Sequence, residues 1–141
     1  MKCLADDLGE NRFGFVLDGR HLAVAESLTE SRDRIIIVSV ETGAKRILFS
    51  PFSDFVLKYP TLSFSPDGRL LAFASSLGSN VTDIYLFPYQ AGEAGESHRL
   101  TFANSAIYGL DWTNNGQWII FSRESPTGVH LFRAALSGGE S

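Results

Sequence analysis

The sequence predicts an all-β chain made of three copies of one sheet-forming unit, and two observations carry that prediction. First, a ten-residue phrase recurs at a spacing of 48 to 49 residues. It reads Phe15-Val16-Leu17-Asp18-Gly19-Arg20-His21-Leu22-Ala23-Val24, returns as Phe64-Ser65-Pro66-Asp67-Gly68-Arg69-Leu70-Leu71-Ala72-Phe73, and appears again as Trp112-Thr113-Asn114-Asn115-Gly116-Gln117-Trp118-Ile119-Ile120-Phe121. Second, each copy sets a turn-forming glycine between runs of apolar and aromatic residues, which is the pattern of a hairpin. Four-strand units repeated at this period mark a β-propeller, in which antiparallel sheets, the blades, stand face to face around an axis. The expectation is about three four-stranded antiparallel blades, either half of a six-bladed ring or a fragment of a larger propeller. They form one segment over 1–141, with repeats at approximately 6–50, 51–103 and 104–141.

The middle repeat shows the parts in order. Leu62-Ser63-Phe64 alternates apolar and polar, as a half-buried strand does. In Ser65-Pro66-Asp67-Gly68, Pro presets φ, Asp can bond its own backbone and Gly accepts φ > 0, so the chain reverses there. Arg69 to Ser75 is apolar nearly throughout, which suits a strand buried on both faces. After a polar loop, Ser76 to Thr82, comes a third strand at Asp83-Ile84-Tyr85-Leu86-Phe87. The Gly-rich turn Gln90–Glu96 then leads to a fourth, His98-Arg99-Leu100-Thr101-Phe102, whose mixed polarity fits an outer edge.

The first repeat supplies strands at roughly Arg12–Leu17, Arg20–Ser27, Arg34–Val40 and Lys45–Phe49. The third supplies Tyr108–Trp112, Gln117–Arg123 and Val129–Ala134, with no fourth strand after it. Cys3 lies twelve residues before Phe15, as Leu100 lies twelve before Trp112, so Lys2-Cys3-Leu4-Ala5 takes the place of a fourth strand. Positions 1–5 would then complete another blade, giving twelve strands in three circularly offset blades. The turn residues on which this rests are Asp18, Gly19, Asp67, Gly68, Asn115 and Gly116.

Composition narrows the function. At 141 residues, 44% hydrophobic and 12% aromatic, the chain can build one β-rich core. A net charge of −4 and the lack of a basic stripe argue against nucleic acid as a partner. The longest apolar run, Ile35 to Val40, is too short to span a bilayer. Met1 to Asp7 has no apolar core of a secretory signal. The single cysteine, Cys3, excludes an internal disulfide and a cysteine zinc cluster.

The middle phrase, Phe64 to Phe73, resembles the repeat of TolB-type, WD40-like propellers, whose blades open with an aromatic, Ser-Pro-Asp-Gly, a basic residue and an apolar strand. Arg99-Leu100-Thr101 resembles the close of such a blade. The first repeat departs at Val16-Leu17 and the third at Thr113-Asn114-Asn115, which puts the turn type in question. The run Leu100 to Thr113 is similar to blades that follow a winged-helix domain and a membrane span in CadC-type transcriptional regulators. That resemblance implies a sensory or scaffolding segment of a larger protein, placed on the extracytoplasmic side. Similar blades also form the gating propeller of prolyl-oligopeptidase-like serine peptidases.

No catalytic constellation is legible. His21, His98 and His130 fall in three repeats without metal-ligand spacing and read as structural or surface histidines. No Gly-x-Ser-x-Gly elbow is present. Turn chemistry accounts for the recurring Asp18 and Asp67. Asn80-Val81-Thr82 fits a glycosylation sequon, a triplet common by chance. No enzyme activity, metal or cofactor is expected.

The segment Asp54 to Pro60 is longer than its counterpart after Phe102, and long propeller loops often carry binding residues. Lys58, Tyr59 and Tyr108 precede first strands, near the mouth of a central channel, and are the candidate binding residues. The plainer reading is that Phe52, Phe55 and Leu57 plug the rim.

Assembly is the remaining expectation. Closed propellers usually carry four to eight blades, so three leave two faces open. Exposing one Trp112-sized aromatic forgoes roughly 4–6 kcal/mol, for about 150–250 Å² at about 25 cal/mol per Å². The chain is therefore expected to be a piece of a longer propeller, or to pair as a homodimer into a six-bladed ring. In either case it reads as a non-enzymatic module that meets a protein or small ligand on a propeller face. The alternatives are the peptidase's gating propeller and a self-assembling repeat fragment without a ligand.

Overall fold

The structure is a computed structural model and describes residues 11–17, 20–29, 32–49, 55–56, 62–77, 82–90, 93–94, 97–102 and 105–137. These are all β. The strands are β1 (Asn11–Leu17), β2 (His21–Thr29), β3 (Arg32–Ser39), β4 (Lys45–Phe49), β5 (Phe55–Val56), β6 (Leu62–Phe64), β7 (Leu70–Leu77), β8 (Asp83–Gln90), β9 (Glu93–Ala94), β10 (His98–Arg99), β11 (Ile107–Trp112), β12 (Trp118–Ser125) and β13 (Gly128–Ala135). They form three sheets, one per repeat, in which neighbouring strands pair antiparallel. The first sheet runs β1-β2-β3-β4 and the third β11-β12-β13. The second runs β10-β8-β7, with both β5 and β6 along the free side of β7.

The hairpin turns show why two different sequences make one blade. In the second blade, Gly68 sits at φ +71° and its N–H donates to the Ser65 carbonyl at 2.8 Å. Asp67 Oδ1 accepts from Ser65 Oγ at 2.6 Å and from the Arg69 N–H at 3.0 Å. The third blade repeats this bond for bond. Gly116 has φ +69° and donates to the Thr113 carbonyl at 2.8 Å, while Asn115 Oδ1 accepts from Thr113 Oγ1 at 2.7 Å and from the Gln117 N–H at 3.1 Å. Ser and Thr, and Asp and Asn, are interchangeable here because the turn needs only a hydroxyl at its first corner and an oxygen acceptor at its third. The first blade differs. Its closing pair is Leu17 with Leu22, enclosing positions 18–21, whereas the others close at Phe64 with Leu71 and at Trp112 with Ile119, enclosing six. Asp18 and Gly19 lie outside the described residues.

The blades stack in one sense. Alternation along each strand divides its side chains between two faces. Ala23, Ile35 and Ile37 of the first blade pack against Leu71, Phe73, Tyr85 and Phe87 of the second. The opposite face of the second, with Ala72, Ala74, Ile84 and Leu86, packs against Ile119, Phe121 and Ala134 of the third. Ala23 and Ala72 are repeat equivalents, as are Phe73 and Phe121, so each blade lays its forward face on the rear face of the next. The continuous apolar run of β7 follows, since this strand is buried on both sides.

Three features depart from the sequence-based expectation. The fourth strand of the second blade is only His98–Arg99, and Leu100 and Thr101 turn inward and are buried. Phe55 and Val56, expected in a loop, form β5 against Leu77 and Ser76, and Glu93–Ala94 extends a hairpin from β8 where a plain turn was expected. The two end faces are also unlike each other. Val24, Ile36 and Val38 on the rear of the first blade are at most 3% exposed, whereas Val129 and Leu131 on the front of the third are 57% and 76% exposed. The strand expected at Lys2–Ala5 lies outside the described residues.

Candidate binding edge

The first strands gather on one side of the molecule, where β1 and β11 both lie against β6. Each first strand is interrupted at nearly one height. In β1 the ladder slips at Gly14, between Phe13–Ala25 and Phe15–Val24. In β11 it slips at Tyr108, between Ile107–Arg123 and Gly109–Ser122. In the second blade the strand divides into β5 and β6, with positions 57–61 intervening between Val56–Ser76 and Leu62–Phe73. Counted along the second strands from Gly19, Gly68 and Gly116, the breaks fall at five to six, five to eight and six to seven residues, so they overlap. A bulge leaves one residue unpaired and re-aims its side chain.

Tyr108 is the described residue that this break presents. It is 39% exposed, and its hydroxyl donates to Glu124 Oε2 at 3.3 Å. Beside it, Ser105 Oγ donates to the Glu124 carbonyl at 2.7 Å. The edge here is therefore a phenol, a carboxylate and a hydroxyl around a widened backbone. Lys58 and Tyr59, the other candidates, lie outside the described residues.

Three polar arrangements that join strands and blades were not singled out from the sequence. Ser63 Oγ on β6 donates to Asp111 Oδ1 on β11 at 2.9 Å, and the Trp112 indole N–H donates to the Ser63 carbonyl at 2.9 Å. These bonds stitch the second blade to the third, and the repeat period of 48 separates Ser63 from Asp111. Between blades, Thr82 Oγ1 donates to the Ser105 carbonyl at 3.2 Å and accepts the Ile107 N–H at 2.7 Å. Thr82 is the last residue of the sequon, and its buried hydroxyl has this structural task. Asp83, also buried, accepts from Thr101 Oγ1 at 2.9 Å and pairs with Arg99, while Thr101 Oγ1 accepts the Ile84 N–H at 2.9 Å. The Arg-Leu-Thr signature was the signal available for this last cluster.

At the opposite end, Arg20, His21, Ser39, Val40 and Glu41 line an open cleft of about 590 Å³. Its described lining carries both charge signs and comes from the first blade. His98 and His130 are exposed, and His130 Nε2 bonds Thr127 Oγ1 at 2.9 Å. Among the described residues, no group of three or more His, Cys, Asp or Glu is placed to hold a metal ion, and no helix is long and apolar enough to cross a membrane. The Ser65 hydroxyl and the Arg69 N–H hold the Asp67 carboxyl below its ordinary value, and burial raises the Tyr85 hydroxyl against an opposing pull from Arg99.

Neither a protein-family model nor a curated protein matches the sequence. Solved structures do. TolB from Acinetobacter baumannii superposes with a TM-score of 0.76 at 21% identity, over 93% of this chain and 31% of that one. A candidate TolB from Agrobacterium tumefaciens gives 0.70 at 15% identity, over 98% of this chain and 50% of that one. A prolyl endopeptidase, from work on inter-domain dynamics in catalysis and specificity, gives 0.61 at 19% identity, over 91% and 20%. The chain spans half or less of the length of each of these proteins. With the repeated blades, their common stacking sense and the first strands gathered on one edge, these likenesses establish that the chain has the fold of a TolB-type β-propeller segment.

Proposed function

We propose that this chain is a non-enzymatic interaction segment of a larger propeller-containing protein, and that it binds a protein or small ligand at the inner edge of its blades. The observation that supports this most is the shared interruption of the three first strands, which opens the edge at one height and presents Tyr108 beside Glu124. A closed structural scaffold has no need to break each innermost strand there. The parent protein is read as a sensor or scaffold of the CadC type, with the propeller on the extracytoplasmic side. Lys58 and Tyr59 belong to the same proposed surface.

The test is site-specific photo-crosslinking in cells, with the photoreactive residue placed in turn at positions 58, 59, 108 and, as a control, 98. The expected result is one adduct mass shared by 58, 59 and 108 and missing at 98. Adducts missing at all three inner-edge positions would overturn the proposal. The likeness to a prolyl endopeptidase supports a second reading, a propeller that gates a peptidase site. The two differ in their flanks: a winged helix and membrane span upstream for the first, an α/β-hydrolase domain downstream for the second.

A further inference from the structure

The break at Tyr108 is held from the neighbouring blade, at both of its ends. On one side of it, Gly109 to Trp112 follow the β12 ladder from Ser122 to Ile119. That stretch is tied to the second blade through β6, where the Trp112 indole donates to the Ser63 carbonyl and Asp111 Oδ1 accepts from the Ser63 hydroxyl. On the other side, residues 105–107 are gripped by Thr82, immediately before β8. The Thr82 N–H donates to the Ser105 carbonyl at 3.3 Å, and its hydroxyl donates to the same carbonyl at 3.2 Å and accepts the Ile107 N–H at 2.7 Å. Across the strand, the Glu124 N–H donates to the Ala106 carbonyl at 3.0 Å and the Ser105 hydroxyl to the Glu124 carbonyl at 2.7 Å. The entry to β11 is therefore clamped between the second blade and β12.

Between these two ties β11 carries one residue more than β12. Ile107 pairs with Arg123 and Gly109 with Ser122. Neither tie slides without breaking its bonds, so the surplus residue leaves the ladder between them, and that residue is Tyr108. The upper tie is out of water: Thr82 is 1% exposed and Ile107 fully buried. A methyl in place of the Thr82 hydroxyl would leave the Ile107 N–H buried without its acceptor.

We propose that Thr82 is a positioning residue of the inner-edge site. It acts through Ile107 and Ser105, fixing the register of the strand entry so that the Tyr108 phenol is presented beside Glu124. Its hydroxyl belongs to the second blade and the residue it places to the third, so the site depends on how two blades are joined. The consequence for binding rests on the inner edge being the binding surface; the placement of Tyr108 does not.

Fluorotyrosine at position 108, and in a second chain at position 85, reads the two surroundings by 19F resonance. Thr82→Val keeps the size and removes both side-chain bonds, whereas Thr82→Ser keeps the bonds. The Tyr108 resonance is expected to stay in place in Thr82→Ser and to move or broaden in Thr82→Val, with the Tyr85 resonance unchanged in both. The photo-crosslinked adduct from position 108 should fall by about tenfold in Thr82→Val and return in Thr82→Ser. If the wild-type chain gives no adduct at 58, 59 or 108, the binding reading fails, and the 19F resonances still decide the role of Thr82. An unmoved Tyr108 resonance in Thr82→Val, or an adduct yield left level, overturns the proposal. So does a joint shift of Tyr108 and Tyr85, the mark of a general support of the blade. If Thr82→Val does not fold, the wild-type Ile107 amide decides: protection from hydrogen exchange supports the proposal, and exchange at the rate of an open chain overturns it.

Discussion

Gly68 and Gly116 show how little a residue needs to decide. Both hold a left-handed φ, and a Cβ on Gly68 would meet nothing within 4 Å. Strain rather than crowding then sets the penalty of Gly68→Ala, about 1–2 kcal/mol, and Gly68→Asn should lose less because Asn tolerates that region. Urea unfolding of the two variants reads the difference, and equal losses would point to crowding instead. Asp67 beside it carries a pH signature. Its folded pKa lies below the ordinary 3.8, so its contribution is present above about pH 3.8 and is lost as acid carries the pH down through the folded value. Asp67→Asn should keep the turn, as Asn115 does in the third blade, and remove this part of the acid dependence. Acid titrations of stability for the two chains should run parallel above about pH 4, and below it the wild-type chain should lose stability relative to the variant.

At the scale of an element, the close of the second blade depends on one hydroxyl. Thr101 Oγ1 gives its proton to Asp83 and takes the Ile84 N–H, all out of water. Thr101→Val keeps the shape and strands both partners, so it should destabilise by about 1–3 kcal/mol in chemical denaturation. A loss under about 0.5 kcal/mol would mean that water enters and replaces the hydroxyl. This bonding was hidden in the sequence, where His98 to Phe102 has the mixed polarity of any edge strand. An inward polar residue is distinguishable from an outward one only once its partner, fifteen or more positions away, is placed. The hairpins were legible because their chemistry is local: the six positions 65–70, or 113–118, supply these donors and acceptors. The split of the first strand into β5 and β6 was not, since Phe55 and Val56 are strand only by virtue of Leu77 and Ser76.

Over the whole molecule, the second blade is the one covered on both faces by described neighbours. Local opening there requires two interfaces to part, whereas β13 carries an exposed face and, among the described strands, pairs only with β12. Hydrogen exchange should therefore be slowest along β7 and β8 and faster along β13. Uniform protection across the three blades would mean that the sheets open as one unit.

The turn residues and the apolar runs settled nearly every strand, because each of those signals is complete within a few adjacent positions, and their recurrence every 48 to 49 residues settled the fold class. Only the tertiary structure decided which face of each blade looks forward, where the innermost strands break and which end of the stack is left bare. Those outcomes are sums over residues far apart in the chain: a side chain's partner lies in the next sheet, and no short stretch of sequence names it.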